Sequence, residues 1–441
     1  MILAEAAPRE QGAPESSIIP VWVFSGQYPD STLKMWHRMA IVSTIAKSLS
    51  RYLTFGEDSQ FSPFHVRKPD AGFDSGSRSL VANGGSYVGK QNLPGEGAVT
   101  VQEWEKHCDG IPDVSVIIPV HRGSQYIAQA LTSVFAQRFT AYEIIVVNDG
   151  SPETEQVERE LHPYAQQITY IKQENGGPSS ARNAGILQAK GEYVAFLDCD
   201  DAWHPSYLGE QLALLRADPE LDLIYCDALL IGTSPDAGKT VMEINPSRGA
   251  VTLESLLKLD CSVITSCTVV RRQCLLDVGL FDEDRRCCED YDMWVRIADR
   301  GGRMAYQHKV LALRRIHPQA ITADPSYVID SQVAVFMKLG KSLRLTPVHQ
   351  AIVQKQIARC MAEIQLHRSK ADLMAGKYTE AATAVRFANN YFQSRKLRSI
   401  EWIIRLMPRT VRLFYRTRNR WYSGVKHKKF FRPSDEITFP R

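Results

Sequence analysis

Short apolar runs alternate with amphipathic segments between residues 114 and 200. Residues 114–118 and 143–147 are rich in Val and Ile, and such runs are typical of buried strands. Two further strands are predicted at 168–171 and 193–197. Strands that alternate with helices predict βαβ units, an α/β fold and a parallel sheet. Between the first two strands, apolar residues recur at the spacing of one helix face, at Ile127, Ala130, Leu131, Val134 and Phe135.

The two ends of the chain follow other patterns. Residues 56–97 are rich in Gly, Ser, Pro and Asp, so we expect low order there, with one helix near 31–53. Beyond residue 328 the apolar spacing is wholly helical, and 366–392 resembles a single helical-hairpin repeat. The chain is therefore predicted to contain a largely disordered N-terminal extension, an α/β domain, an all-helical C-terminal region and a basic tail, at residues 1–110, 111–325, 326–423 and 424–441.

Composition limits the class of protein. The chain has 441 residues, 44% of them hydrophobic, and a net charge of +4, which does not indicate a nucleic-acid binder. Its nine cysteines form no Cys-x-x-Cys pair, which argues against a disulfide framework and against a structural zinc site. Reduced cysteines, no secretory signal and no apolar run of ~18 residues predict a cytoplasmic protein without a transmembrane helix.

Three carboxylates follow the apolar run 193–197 within four positions, and they are Asp198, Asp200 and Asp201. Like charges this close repel one another, and a hard divalent cation that accepts oxygen ligands would offset them. The carboxyl ends of parallel strands are also where open α/β sheets bind ligands. An isolated cluster of this kind is more often a solvated acidic turn. In this setting the sequence predicts a Mg²⁺ or Mn²⁺ site after the strand.

Six short motifs lie between residues 114 and 322. They are VIIPVH at 116–121, IVVNDGS at 145–151, GGPSSARNAG at 176–185, FLDCDD at 196–201, VGLFDE at 278–283 and EDYDMW at 289–294. In this order, and on a βαβ pattern, they resemble the family 2 glycosyltransferases. The resemblance implies the GT-A fold, a Rossmann-like αβα sandwich with a mostly parallel sheet. It also implies an inverting transfer of a sugar from a nucleotide-sugar donor.

The resemblance assigns nucleotide binding to residues at the ends of the first two strands. Asp149 would accept a hydrogen bond from the base, and the alternative is a turn aspartate before a glycine. The neighbouring Pro119, Val120 and His121 would line the same pocket, although His121 departs from the Tyr common in the family. Arg182, in the first turn of its helix, would contact the nucleotide, and the alternative is a solvated helix arginine.

Other positions are assigned to the diphosphate and its metal ion. Asp200 and Asp201 would bind the Mg²⁺ or Mn²⁺ that bridges the diphosphate, with Asp198 in support. Arg315 and His317 match an Arg-x-His segment of the family that could close over the diphosphate. The alternative for His317 is a structural role, which is the more common one for a lone histidine.

A second pair of acids is assigned to the acceptor side. Asp290 would be the base that takes the proton of the acceptor hydroxyl, with Glu289 as its helper. The alternative is that both carboxylates favour the positive N-terminal end of their predicted helix, which is compatible with catalysis. The Gln-x-x-Arg-Trp signature of processive synthases is incomplete at Arg420 and Trp421, because position 417 is Thr. This difference predicts an enzyme that transfers a single sugar.

These assignments predict a metal-dependent glycosyltransferase that moves a sugar, UDP-linked in our interpretation, to a glycan or lipid-linked acceptor in cell-surface polysaccharide synthesis. Two alternatives stay open. A nucleotidyltransferase on a related fold would need a Gly-rich phosphate loop with a basic residue after the first strand, where only Arg122 and Gly123 stand. A non-catalytic nucleotide-binding or scaffold protein would use the helical region to recruit partners.

The segment 395–432 is strongly basic and contains Glu401 as its one acid. Aromatic and aliphatic residues are interleaved with its arginines, which suits helices that lie on an anionic membrane. We therefore expect peripheral association with the inner face of the cell membrane. The alternatives are a solvated basic face, or nucleic acid, for which no binding motif is present and which is not an expected partner.

Overall fold

The structure, a computed structural model, describes the backbone of residues 100–103 and 110–425 and the side chains of residues 110–417. Several predictions lie outside these residues. They are the low order of most of 1–110, the helix near 31–53 and the basic tail after Val425.

Within the described ranges, nine strands form one sheet. They are Thr100–Glu103 (β1), Val114–Val120 (β2), Tyr142–Asp149 (β3), Thr169–Gln173 (β4), Tyr193–Phe196 (β5), Ala202–Trp203 (β6), Leu221–Gly232 (β7), Thr268–Arg271 (β8) and Arg303–Ile316 (β9). Their order across the sheet is β1-β4-β3-β2-β5-β8-β7-β9-β6. The strands predicted at 114–118, 143–147, 168–171 and 193–197 correspond to β2, β3, β4 and β5.

The sheet is mixed, and its parallel half consists of β4, β3, β2 and β5. Strand β2 lies between β3 and β5, parallel to both, with Ile117 opposite Ile145 and Phe196. Strand β4 continues the parallel half beside β3. Strand β8 runs antiparallel to both β5 and β7, whereas β7 and β9 are parallel. The predicted parallel βαβ units therefore form the parallel half, and the antiparallel pairs made by β1, β6 and β8 make the complete sheet mixed.

Helices cover both faces of the sheet. They are Ser124–Phe135 (α1), Thr154–Leu161 (α2), Pro178–Gln188 (α3), Tyr207–Ala217 (α4), Val241–Ile244 (α5), Leu253–Leu257 (α6), Arg272–Asp277 (α7) and Glu289–Asp299 (α8). Alternate residues of β2 point to opposite faces, so that Val116 and Ile118 join the core beneath α1, α2 and α4. Ile117 joins the second core, beneath α3 and α8. The architecture is therefore the expected αβα sandwich.

The C-terminal region is helical, as the apolar spacing predicts. Its helices are Pro325–Ser342 (α9), Pro347–Ala375 (α10), Tyr378–Phe392 (α11), Arg395–Leu406 (α12) and Pro408–Val425 (α13). The predicted hairpin at 366–392 is the end of α10 followed by α11, and Gly376 between them has a φ of 84°, a conformation that favours glycine. None of the described helices combines the length and apolar character needed to cross a bilayer.

The helical region shares a core with the sheet. Val335, Phe336 and Leu339 of α9 and Val353 of α10 are buried in the same core as Ile117. Asp324 caps the start of α9, because its carboxylate accepts the backbone N–H of Ser326. The domain boundaries at 110, 325 and 423 stay predictions.

Candidate active site

The candidate site lies where β2, β3 and β5 end. Parallel strands bring their carboxyl ends to one edge of a sheet, so His121, Asp149 and Asp198 come together although they are distant in sequence. Of the predicted base-pocket residues, Pro119 is half-buried. The side chain of Val120 is 1% exposed and belongs to the hydrophobic core, so only its backbone is left for a ligand.

Asp149 positions the loop between β4 and α3. Its Oδ1 accepts hydrogen bonds at 2.8 Å from the Gln173 amide and from the Gly176 N–H, and its Oδ2 accepts one at 2.8 Å from the Gly177 N–H. The residue is 3% exposed. Most of the hydrogen-bonding capacity of this carboxylate is thus used inside the protein, and its direct effect is to fix the loop.

A chain of polar contacts links the ends of β2 and β3 to the segment before α8. The Nδ1 of His121 donates to the carbonyl oxygen of Asp149 at 2.8 Å. The amide nitrogen of Asn175 lies 3.2 Å from both imidazole nitrogens. The Asn175 oxygen accepts a 3.0 Å bond from Arg286, an exposed residue that comes from the segment before α8. His121 is therefore held at the pocket edge by partners from two other segments.

Arg182 joins the two groups of predicted acids. Its Nη2 lies 2.8 Å from Asp198 and its Nη1 lies 2.6 Å from Glu289, and its side chain is 6% exposed. Burial lowers the pKa of Arg182, but the two carboxylates outweigh burial and hold the pKa well above its usual value. Burial raises the pKa of Glu289, which the charge of Arg182 opposes. This arrangement differs from the solvated helix arginine that was the alternative.

Asp200 and His317 form a second pair. The Nε2 of His317 lies 2.8 Å from Oδ2 of Asp200, and the two side chains are 14% and 23% exposed. Strand β9 ends at Ile316, and His317 follows it directly. Because β9 pairs with β6, the strand that follows the acidic cluster, His317 can reach Asp200. The ring of His317 also contacts Tyr126, at 5.5 Å between ring centres.

Asp201 holds the end of β9. Its Oδ1 accepts a 2.8 Å hydrogen bond from the backbone N–H of Arg315, and the residue is 5% exposed. Burial, and then the charges of Asp200 and Asp198, raise the pKa of Asp201 well above its usual value. The Arg315 guanidinium donates to the Asp200 carbonyl oxygen at 2.9 Å and lies 4.6 Å from the Tyr126 ring centre.

A divalent cation fits only part of the predicted donor set. Asp200 and His317 offer a partly exposed carboxylate oxygen and an imidazole nitrogen that meet at one place. One oxygen of the buried Asp201 carboxylate, Oδ1, accepts a backbone N–H instead. No group of three or more His, Cys, Asp or Glu side chains with metal-binding geometry occurs among the described residues. Asp200 and His317 could therefore supply two ligands to a cation whose other ligands are waters and substrate oxygens.

Asp290 lies in the first turn of α8 and faces the loop before β8. Its Oδ2 accepts a 2.7 Å hydrogen bond from the Thr265 hydroxyl, and its Oδ1 accepts the Tyr291 N–H at 2.7 Å. The neighbouring Ser266 accepts the N–H of Asp198 at 3.1 Å. The loop 265–267 therefore ties the acceptor-side acid to the acidic cluster.

Cys288, immediately before the two acids of α8, has a φ of 60°, in the left-handed region that non-glycine residues rarely adopt. Such conformations cluster at functional sites. Its sulfur lies 3.8 Å from that of Cys287, and both thiols are free. The segment that delivers Glu289 and Asp290 is thus a strained one.

Several residues that shape the site were missed in the sequence. They are Tyr126, Gln173, Asn175, Thr265, Ser266 and Arg286. Only Asn175 had a sequence signal, because it directly precedes the Gly176-Gly177 motif. The others lie outside the six motifs and reach the site through the tertiary fold.

The fold and the site together define an α/β protein of the GT-A class. Residues 115–277 match the family described as glycosyl transferase family 2. The predicted resemblance to this family, the fold class and the assignment to the transferases are confirmed. The match ends before Glu289, so the candidate catalytic pair lies beyond it.

Curated relatives are similar to part of the chain. An uncharacterized glycosyltransferase of Rickettsia prowazekii is 36% identical over 214 residues, which are 48% of this chain and 66% of that protein. The uncharacterized glycosyltransferase EpsJ of Bacillus subtilis is 36% identical over 117 residues, 26% of this chain and 34% of that protein. The chain thus spans just under two thirds of the first relative and about a third of the second.

Two solved structures are also similar. Residues 1–349 of TarS from S. aureus align with a TM-score of 0.46 and 17% identity, covering 72% of this chain and 94% of that one. A mannosyltransferase from Pyrobaculum calidifontis, in complex with GDP-Man and Mn²⁺, aligns with a TM-score of 0.47 and 19% identity, covering 73% of this chain and 89% of that one.

Proposed function

We propose that the protein is an inverting, metal-dependent glycosyltransferase. It moves a sugar from a nucleotide-sugar donor, UDP-linked in our proposal, to a hydroxyl of a glycan or lipid-linked acceptor in cell-surface polysaccharide synthesis. One observation carries this function. Arg182 contacts both Asp198 of the acidic cluster and Glu289 beside Asp290, so the donor-side and acceptor-side acids share one site.

Asp290 is the base in this proposal. Its two carboxylate oxygens accept hydrogen bonds from Thr265 and from the backbone of Tyr291, which orient the carboxylate. It takes the proton of the acceptor hydroxyl while that oxygen bonds to the anomeric carbon and the bond from that carbon to the nucleoside diphosphate breaks. Such general-base assistance contributes roughly 10²–10⁴-fold in rate. Glu289 acts through Arg182 as a positioning residue.

The leaving diphosphate is anionic, and cationic groups surround its proposed place. Asp200 and His317 would hold Mg²⁺ or Mn²⁺, which when bound supplies positive charge to the leaving group. Arg315, fixed by Asp200 and stacked near Tyr126, adds a second positive charge at the same edge. In this proposal Asp201 holds the β9 end in place through its Oδ1, and Asp200 supplies the carboxylate for the cation.

The base of the nucleotide is proposed to sit beside His121, against the loop that Asp149 fixes. The contacts of Asp149 to Gly176 and Gly177 support a positioning role for this carboxylate. The polar chain from His121 through Asn175 to Arg286 supplies donors and acceptors at the pocket mouth.

We further propose that the reaction takes place at the inner face of the cell membrane. An acceptor carried on a lipid would require this location. All eight cysteines of the described residues are free thiols, which is typical of a reducing compartment.

Calorimetric binding of UDP, GDP and dTDP, with and without Mn²⁺, tests the donor site. We expect one nucleotide to bind in a metal-dependent manner, and Asp200→Asn to weaken that binding at least about tenfold. Asp201→Asn is the matched control, because an asparagine oxygen can still accept the Arg315 N–H. If nucleotide binding loses its metal dependence in Asp201→Asn but not in Asp200→Asn, then Asp201 is the metal ligand and Asp200 has the structural role. Folded wild-type protein that binds no nucleotide would favour the non-catalytic scaffold.

A further inference from the structure

Three large apolar side chains are exposed on the last two described helices. Trp402 is 60% exposed and Leu406 is 72% exposed, one helical turn apart on α12. Leu413 of α13 is 63% exposed. The packing of these helices does not need them, because other residues supply the buried sides, namely Leu397, Ile400, Ile404 and Val411. The described fold therefore leaves apolar side chains uncovered on both helices, and we call Trp402, Leu406 and Leu413 the apolar surface of α12 and α13.

Arginines flank this apolar surface. Arg395 and Arg398 are exposed on α12, and Arg409 and Arg416 are exposed on α13. The single acid between residues 395 and 417 is Glu401, which pairs with Arg405 at 3.0 Å. The surface thus combines exposed aromatic and aliphatic groups with positive charge that no acid of the same segment neutralises.

We propose that this surface of α12 and α13 docks on an anionic lipid membrane. Trp402, Leu406 and Leu413 enter the interfacial region, while the flanking arginines contact lipid phosphates. Amphipathic helices of this composition bind membranes by burying apolar area and by attraction to anionic headgroups. Basic residues near such a surface add to this attraction. This deepens the membrane-side part of the proposed function and identifies the residues that carry it.

Charge argues against two other occupants. A second copy of the chain that docked through the same face would bring an identical cationic surface against this one, and the two would repel. The N-terminal 109 residues carry twelve acidic and ten basic side chains, a mixture that does not complement a surface of this charge. An anionic membrane supplies both the negative charge and the apolar interior that the surface requires.

Co-sedimentation of the full chain with vesicles tests the proposal. Phosphatidylcholine vesicles are compared with vesicles that also contain about one third phosphatidylglycerol, at low and high salt. We expect wild-type protein to bind the anionic vesicles and to be released by salt. Trp402→Ser with Leu406→Ser should lower the partition coefficient at least about tenfold, and Arg398→Gln with Arg409→Gln should lower it by a similar factor.

Phe387→Ser is the matched control, since Phe387 is 54% exposed but lies on α11, outside this surface. It should leave vesicle binding unchanged. Equal losses in the control and in the Trp402–Leu406 variant, or no binding by folded wild-type protein, would overturn the proposal. Binding to duplex DNA that depends on the arginines but not on Trp402 would assign the surface to nucleic acid instead. Nucleotide calorimetry on the same variants separates this result from the donor site, because they should bind nucleotide as wild type does.

Discussion

Arginine is used in two different ways in this molecule. Arg182 is 6% exposed and lies within 2.8 Å of two carboxylates. Arg398 and Arg409, on the terminal helices, are exposed, and their segment contains one acid, Glu401. The first arginine is fixed by charges inside the protein, whereas the others present positive charge to the outside.

This difference distinguishes buried charges that hold the site together from exposed charges that are available to bind a partner. A buried cation needs nearby carboxylates, and removing one member of such a set leaves the other unpaired and buried. An exposed cation costs little when it is removed, because water already solvates it. The same substitution should therefore lower the free energy of unfolding much more at a buried arginine than at an exposed one. Unfolding experiments can measure this difference.

The largest effect is expected at Asp290, which follows Glu289, the partner of Arg182, in the first turn of α8. Asp290→Asn keeps the size of the side chain and its contact with Thr265, but removes the basic carboxylate. We expect the turnover rate to fall about 10²–10⁴-fold, with nucleotide binding unchanged. Steady-state rates of sugar transfer, or of donor hydrolysis, measure the first quantity and calorimetry measures the second.

Thr265→Val serves as the companion variant, because it removes a hydrogen bond to Asp290 and keeps the carboxylate itself. A smaller loss than in Asp290→Asn is expected. Activity of Asp290→Asn within tenfold of wild type would remove Asp290 from the role of base and leave the helix-end interpretation of the acids.

The next effect tests the comparison of the arginines directly. Arg182→Met leaves Glu289 buried without its cation, so we expect the free energy of unfolding to fall by about 3 kcal/mol. Arg398→Met, which changes the same side chain on an exposed helix face, should change it by less than about 0.5 kcal/mol. Urea unfolding curves with unchanged m-values measure both. Equal changes in the two variants would contradict the distinction between the two kinds of arginine.

The sequence predicted those parts of the molecule that depend on nearby residues. Strands β2 to β5 follow from apolar runs, and the acids at 198–201 follow from their position after one such run. The partners of those acids could not be read in the same way. Glu289 meets Arg182, and His317 meets Asp200, only because the sheet order brings distant segments to one edge.

Asp201 shows the same limit at a single residue. Its position beside Asp200 indicated a metal ligand, and no local pattern distinguishes the two aspartates. Its burial and its bond to the Arg315 N–H depend on β9, which enters the sheet more than a hundred residues later. Likewise, the antiparallel direction of β8 depends on the path of the chain after β7, which no local apolar pattern specifies.

The smallest effect concerns an acid whose cations are partly exposed. Burial would raise the pKa of Asp282, but Lys338, at 2.7 Å, and Arg285 outweigh it and lower the pKa below its usual value. A carboxylate with a lowered folded-state pKa adds stability above its unfolded-state pKa, and this stability is lost as the pH falls through the folded value. We therefore expect Asp282→Asn to reduce the free energy of unfolding by about 0.5–1 kcal/mol at pH 7. The difference from wild type should shrink below about pH 4. Urea unfolding of both proteins from pH 7 to pH 3 measures this, and a difference that stays constant over that range would show that Asp282 contributes by packing and not by its charge.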